Sequence, residues 1–316
     1  MKLKKPNFWD LKKPNLISYL LLPLTIPIII NNLFLKYKYL TKNEKIKSIC
    51  VGNIYIGGTG KTPTAIKLYN LCKKLDFKTT IGKKNYPNQL DEQILLRRKT
   101  NLILSKNRKE ILKKAIQDKF DVIVFDDGLQ DKDLNYDFKI VCFDSENWLG
   151  NGFLIPSGPL REKIDSLKKY DVVFLKNENS EINEIIDTIK KQNPLIKIFH
   201  TYHKPVNLDK FDVKNDYLIF SGIGNPNSFK NILKKNNLNI VKEIIFPDHY
   251  SYKDQDIITI KDTARNLNAK IITTEKDYVK LSEKNLGGLD FLEIELKIKD
   301  EDNFVKFFRS KINEKY

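Results

Sequence analysis

From Ile46 onward short apolar runs alternate with longer amphipathic ones, the pattern of a parallel sheet covered by helices. Strands are predicted at 47–52, 78–82, 101–105, 121–126, 138–143, 171–175 and 196–201, with helices at 64–75, 108–118 and 181–191 between them. After the turn-forming residues Lys204-Pro205 and Lys214-Asn215-Asp216 a smaller series follows. Its strands are expected at 217–221, 239–246, 270–274 and 290–296, and its helices at 228–235, 255–267 and 302–311. The expected fold is α/β: a P-loop NTPase-like, doubly wound, mostly parallel sheet at 46–205, a smaller α/β domain at 206–316, and an N-terminal segment at 1–45.

That N-terminal segment breaks the pattern. Residues 16–30 carry no charge, with Lys2, Lys4, Lys5, Lys12 and Lys13 before them and Lys36 and Lys38 after. A secretory signal needs small residues at its cleavage site, but Asn31-Asn32-Leu33-Phe34 follows, so the segment is read as retained. Extended through Leu35 it is just long enough to span a bilayer, yet Pro23, Pro27, Asn31 and Asn32 interrupt it. The expectation is a membrane-associating helix lying at the interface, with a true span or a buried helix as alternatives. Basic flanks suit an anionic membrane surface.

Composition changes this picture little. The chain has 316 residues, 41% of them hydrophobic, enough to bury a full core. The net charge of +16 comes from 50 Lys and only 6 Arg, which reads as a broad bias and not as a surface built to grip nucleic acid. No nucleic-acid partner is expected. Cys50, Cys72 and Cys142 are far apart in apolar stretches, without metal or disulfide spacing, and read as reduced core residues.

The chemistry starts at Gly57-Gly58-Thr59-Gly60-Lys61-Thr62, which follows a predicted strand and opens a predicted helix. A P-loop needs that context: glycines let backbone N–H groups cradle phosphate oxygens, the helix N-terminus adds partial positive charge, and Lys61 neutralises the β and γ oxygens of a nucleoside triphosphate. Thr62 would coordinate Mg²⁺. The loop departs from the general pattern because Tyr55 stands where its first glycine belongs. Downstream, Val122-Ile123-Val124-Phe125 delivers Asp126 and Asp127 to a strand end, where one or both could hold Mg²⁺. Side chains alternate along a strand, so the two carboxylates should point differently. For the acceptor proton two groups stand out. Asp91 opens a predicted helix and reads either as an N-cap or as a base. His249, in a loop beside Asp248, is the best placed of three histidines for proton handling.

Together these phrases resemble the tetraacyldisaccharide 4′-kinases, which phosphorylate the lipid A precursor of Gram-negative bacteria. The resemblance rests on Val51-Gly52-Asn53 with the P-loop and Pro63, Asp91-Glu92 with Leu95-Leu96, and Asp126-Asp127-Gly128-Leu129-Gln130. It continues through 156–162, 220–223, 246–250 and 273–277 in the family's order, from about residue 8 to 280. It implies MgATP on the P-loop and, as acceptor, the 4′-hydroxyl of an acylated disaccharide lipid. It further implies Asp91 as general base with His249 assisting across an interdomain cleft, at the cytoplasmic face of the bacterial inner membrane. Lys84, Tyr86, Arg161 and Glu162 look like further active-site members.

Three departures stand out. Asp131 follows Gln130 where relatives carry His. Lys83-Lys84-Asn85-Tyr86-Pro87 replaces Ser-Arg-Gly-Tyr-Gly, keeping charge at Lys84 without the bidentate geometry of Arg. Leu90 and Gln93 flank Asp91-Glu92 where relatives tend to have Gly and Pro. The rival reading is a membrane-associated P-loop ATPase acting on a protein partner, which would need neither Asp91 nor His249.

Overall fold

A computed structural model of the chain describes residues 5–36, 45–131, 133–177, 182–281 and 286–313. Lys2, Lys4 and Lys38 of the basic flanks lie outside the described residues. In chain order the elements are α1 (Leu16–Leu20), α2 (Ile26–Lys36), β1 (Lys47–Gly52), α3 (Lys61–Lys74), β2 (Thr79–Lys84), α4 (Leu90–Lys99), β3 (Leu102–Ser105), α5 (Arg108–Gln117), β4 (Val122–Asp126) and β5 (Phe138–Asp144). They continue with β6 (Val172–Lys176), α6 (Asn183–Gln192), β7 (Lys197–Pro205), β8 (Asp216–Ser221), α7 (Pro226–Lys235) and β9 (Asn239–Ile245). The last are α8 (Asp254–Asn266), β10 (Lys270–Thr274), α9 (Glu275–Tyr278), β11 (Leu289–Leu292), β12 (Ile294–Ile298) and α10 (Glu301–Asn313).

These elements form two compact units. The larger comprises Lys5–Asn85, Thr100–Tyr202 and Leu296–Tyr316, the smaller Tyr86–Lys99 and His203–Glu295. The division thus departs from a single boundary at residue 205 in two places. Helix α4 belongs to the smaller unit and α10 to the larger. The reason for α10 is its aromatic face: Phe304 and Phe308 are fully buried, and with Phe307 they meet the rings of Phe138, Phe174 and Phe199. The strand expected at 290–296 is likewise two strands, broken at Glu293, whose N–H donates to the Asn207 side chain while its carbonyl accepts from Val206 N–H.

In the eight-stranded sheet the order is β12-β7-β6-β5-β1-β4-β2-β3, with β1 paired in parallel to both β4 and β5. Strand β4 is buried along its whole length, which is why it reads as an unbroken apolar run. The chain leaves β1 through α3 to reach β2, and β4 later fills the place between them. Such a reversal leaves a crevice at the carboxyl ends of the strands, the usual ligand position in an open α/β sheet. The smaller unit has its own parallel sheet, β11-β10-β8-β9, with α7 and α8 burying Phe229, Ile232, Leu233, Ile257 and Ile260.

The apolar run at 16–35 is not one helix. It divides into α1, a 3-10 turn at Leu22–Thr25 and α2, with Pro23 and Pro27 in the first turns of the latter two, where a missing N–H costs nothing. Among the described residues no helix is long and apolar enough to cross a membrane. The segment is fastened to the larger unit by hydrogen bonds: Trp9 Nε1 donates to the Pro156 carbonyl, Asn151 Nδ2 to Ser18 Oγ, and Asn32 Nδ2 to the Arg161 carbonyl at 3.1 Å. Its other face is bare, with Leu16 75%, Leu20 70% and Leu24 59% exposed. The three cysteines are free and buried.

Candidate active site

In the larger unit the P-loop runs from the end of β1 into α3. Gly57 and Gly60 adopt φ of +136° and +82°, conformations open to glycine at little cost, and the second lets α3 begin at Lys61. Asn53, fully buried, steadies the loop by donating to Thr59 Oγ1 at 2.8 Å. Tyr55 occupies the place of the missing first glycine because the chain is structural there. It pairs with Leu160, packs with Leu154 and Leu160, and its hydroxyl bonds Asp10 and Lys5.

Beside the loop stand Asp126 and Asp127, and they do diverge. Asp126 Oδ2 accepts from Thr62 Oγ1 at 3.1 Å and from Lys83 Nζ at 2.7 Å. Its other oxygen, Oδ1, is buried without a hydrogen-bond partner. Asp127 leaves the strand with a φ of +59° and turns to Arg161, 2.8 Å away, and Lys61, 3.9 Å away. Burial pushes the Asp127 carboxyl up, but Lys61 and Arg161 outweigh it and hold the group at about 2. Arg161 is itself placed by its backbone N–H on the Ile54 carbonyl. Glu162, 3% exposed, accepts from Gln130 Nε2 and Tyr170 Oη, both at 2.8 Å, and the same Gln130 nitrogen reaches the Asn53 carbonyl. Glu162 therefore braces the phrase beside the P-loop from within.

In the smaller unit Asp91 is the second residue of α4, so the N-cap reading is overturned: the helix already begins at Leu90. Its carboxylate is 1% exposed and lies 2.9 Å and 3.0 Å, through its two oxygens, from His249 Nδ1. Lys276 at 3.6 Å and Lys280 at 3.8 Å complete the surrounding positive charge. Burial raises the Asp91 carboxyl, yet the His249 hydrogen bond and the two lysines hold it below the usual carboxylate range. An ionised Asp91 fixes the proton of His249 on Nδ1. Glu92 and Asp248 carry the opposite charge toward Lys276, at 3.3 Å and 3.4 Å. Lys280 in turn meets Asp277, which is fully buried and accepts from Gly222 N–H and Thr274 Oγ1. His249 has a φ of +56°, held by its backbone N–H on the Gly222 carbonyl.

The residues singled out in the sequence therefore gather into two sets. Gly57, Gly58, Thr59, Gly60, Lys61, Thr62, Asp126, Asp127, Arg161 and Glu162 belong to the larger unit, Asp91 and His249 to the smaller. Lys84 is half-buried at the end of β2, and Tyr86 is exposed ahead of α4, its carbonyl accepting from Gln93. Sequence reasoning missed Lys83, Arg108, Lys276 and Lys280. Lys83 could have been found from strand register, since it stands opposite Asp126 in the β2–β4 pair.

Hard oxygen donors at Thr62 and Asp126, one of them a buried oxygen lacking a partner, fit Mg²⁺. Among the described residues no three His, Cys, Asp or Glu side chains gather into a cage.

The chain is similar along its length to proteins of one family. The model of a family described as tetraacyldisaccharide-1-P 4′-kinase matches residues 18–313. A tetraacyldisaccharide 4′-kinase of Pelagibacter ubique is 48% identical over 316 residues, covering 100% of both chains. One from Rickettsia canadensis is 38% identical and covers 94% of each. A crystal structure of LpxK from Aquifex aeolicus, an "apo" form in complex with ATP, superposes with a TM-score of 0.69 at 21% identity, over 94% of this chain and 100% of that one. The last likeness bears on the fold: the doubly wound, mostly parallel α/β architecture expected from the sequence is the observed one.

Proposed function

The chain belongs to the tetraacyldisaccharide-1-P 4′-kinase family, and on that premise we propose that it transfers the γ-phosphoryl group of ATP to the 4′-hydroxyl of tetraacyldisaccharide 1-phosphate, with the named residues dividing the work. The P-loop backbone and Lys61 hold the phosphates, and Arg161 adds positive charge beside Asp127. Thr62 and Asp126 would hold Mg²⁺, which screens the negative charge of the phosphates. Asp91 takes the proton of the attacking hydroxyl, and His249 keeps that carboxylate oriented. Phosphoryl transfer asks little covalent chemistry of the protein, so positioning and charge dominate. The larger unit carries the phosphate grip and the smaller unit the base.

The observation that carries this reading over a simple ATPase is the buried Asp91–His249 pair. Nucleotide binding makes no use of such a pair, whereas an attacking hydroxyl that gives up its proton can. For location, the bare apolar side chains of α1 and the following turn support seating on a membrane surface, which we place at the anionic cytoplasmic leaflet of the inner membrane. The test follows γ-phosphate from ATP to detergent-solubilised tetraacyldisaccharide 1-phosphate. Wild type should transfer it, while Lys61→Ala, Asp91→Ala and His249→Ala lose most of the rate. A folded wild type that hydrolyses ATP only when a protein partner is added, and leaves the lipid unmodified, would replace this reading with the ATPase.

A further inference from the structure

Lys83 is a lysine in the wrong place for a surface charge. It lies on β2, in register with Asp126 on parallel β4, so the two side chains leave their strands toward the same side. It is 1% exposed, and its Nζ sits 2.7 Å from Asp126 Oδ2. The same oxygen accepts from Thr62, so two donors converge on it and turn the carboxylate. Oδ1, the remaining oxygen, is buried with no hydrogen-bond partner, a state that points to an absent ligand.

We propose that Lys83 is a positioning residue that gives the P-loop site a resident cation, whose charge on one oxygen of Asp126 opposes a lone metal ion and favours the nucleotide. This rests on the nucleotide site proposed above. With Lys83, three cations (Lys61, Lys83 and Arg161) face two carboxylates before any phosphate arrives. That excess positive charge draws a triphosphate in and opposes a divalent cation that comes alone. Lys83 therefore couples the two ligands: the metal enters with its nucleotide.

Removing the charge should move the two affinities in opposite directions, which loss of a merely structural contact would not do. The full chain in detergent is titrated with Mn²⁺ alone, read by electron paramagnetic resonance, and with the ATP analogue AMP-PNP in chelator, read by calorimetry. In Lys83→Met, Mn²⁺ should bind at least about fivefold tighter and metal-free AMP-PNP at least about fivefold weaker. Lys83→Arg, which keeps the charge, should stay near wild type on both. Parallel weakening of both ligands, or no change in either, overturns the proposal. If Lys83→Met does not fold, Lys83→Gln carries the same measurements, and failure of both to fold assigns Lys83 a structural role and also overturns it. A wild type that binds neither probe would instead overturn the nucleotide site itself.

Discussion

The Arg108 guanidinium, 6% exposed, donates to the Asp131 carboxylate at 2.8 Å and, through its other terminal nitrogen, to the Asp127 backbone carbonyl. Asp131 is where the resembled family places His, so in this chain a carboxylate holds a buried arginine behind the Asp127 turn. That turn has a positive φ at a residue other than glycine, which persists only where its surroundings enforce it. Arg108→Met should cost about 3 kcal/mol in urea unfolding, because it strands a carboxylate and a carbonyl. Asp131→Asn keeps an acceptor and should cost about 1 kcal/mol.

Asp127 makes stability depend on acid. Its folded value of about 2 lies below the ordinary 3.8, so the native state favours the ionised form. That contribution is fully present above about pH 4 and is lost as pH falls through about 2. Denaturation curves of wild type and Asp127→Asn should therefore differ most at neutral pH and converge as pH drops through this window. A constant gap down to acid would contradict the assignment.

Lys276 faces Asp91, Glu92 and Asp248, while His249 and Lys280 also face Asp91. Removing one cation from a carboxylate raises its pKa. Lys276→Gln should therefore shift the acidic limb of the kcat/KM profile for lipid phosphorylation to higher pH, and Lys276→Arg should restore it. A uniform loss of rate at every pH would mark Lys276 as structural only.

Leu16, Leu20 and Leu24 are bare, so replacing them should leave the fold alone. The triple change Leu16→Glu, Leu20→Glu and Leu24→Glu should alter stability by no more than about 1 kcal/mol in total. It should abolish co-sedimentation with vesicles of anionic lipid while detergent-phase transfer continues. Persistent vesicle binding would remove this surface from the membrane contact.

Much of this was legible in the sequence, and the exceptions have physical causes. The P-loop, the strand ending in Asp126 and the α/β alternation are local patterns, since each follows from neighbours in the chain. Lys83 and Arg108 escaped because hydropathy assigns a charged residue to the surface, whereas burial here is decided by partners 43 and 23 residues away in sequence. The N-cap reading of Asp91 failed because helix α4 starts at Leu90, two residues before the Glu92 start that a cap at Asp91 would require. Residues 290–296 looked like one strand because a single-residue break at Glu293 leaves no mark in an apolar alternation.

The discontinuous make-up of the smaller unit limits how the protein can be taken apart. Its Tyr86–Lys99 segment is spliced between β2 and β3, far in sequence from His203–Glu295. A fragment cut at residue 205 would contain His249 without the aspartate it binds, and the complementary fragment would contain that aspartate without its imidazole. Neither piece is a transferable module. Moving the Asp91–His249 pair onto another scaffold would require moving two segments at once.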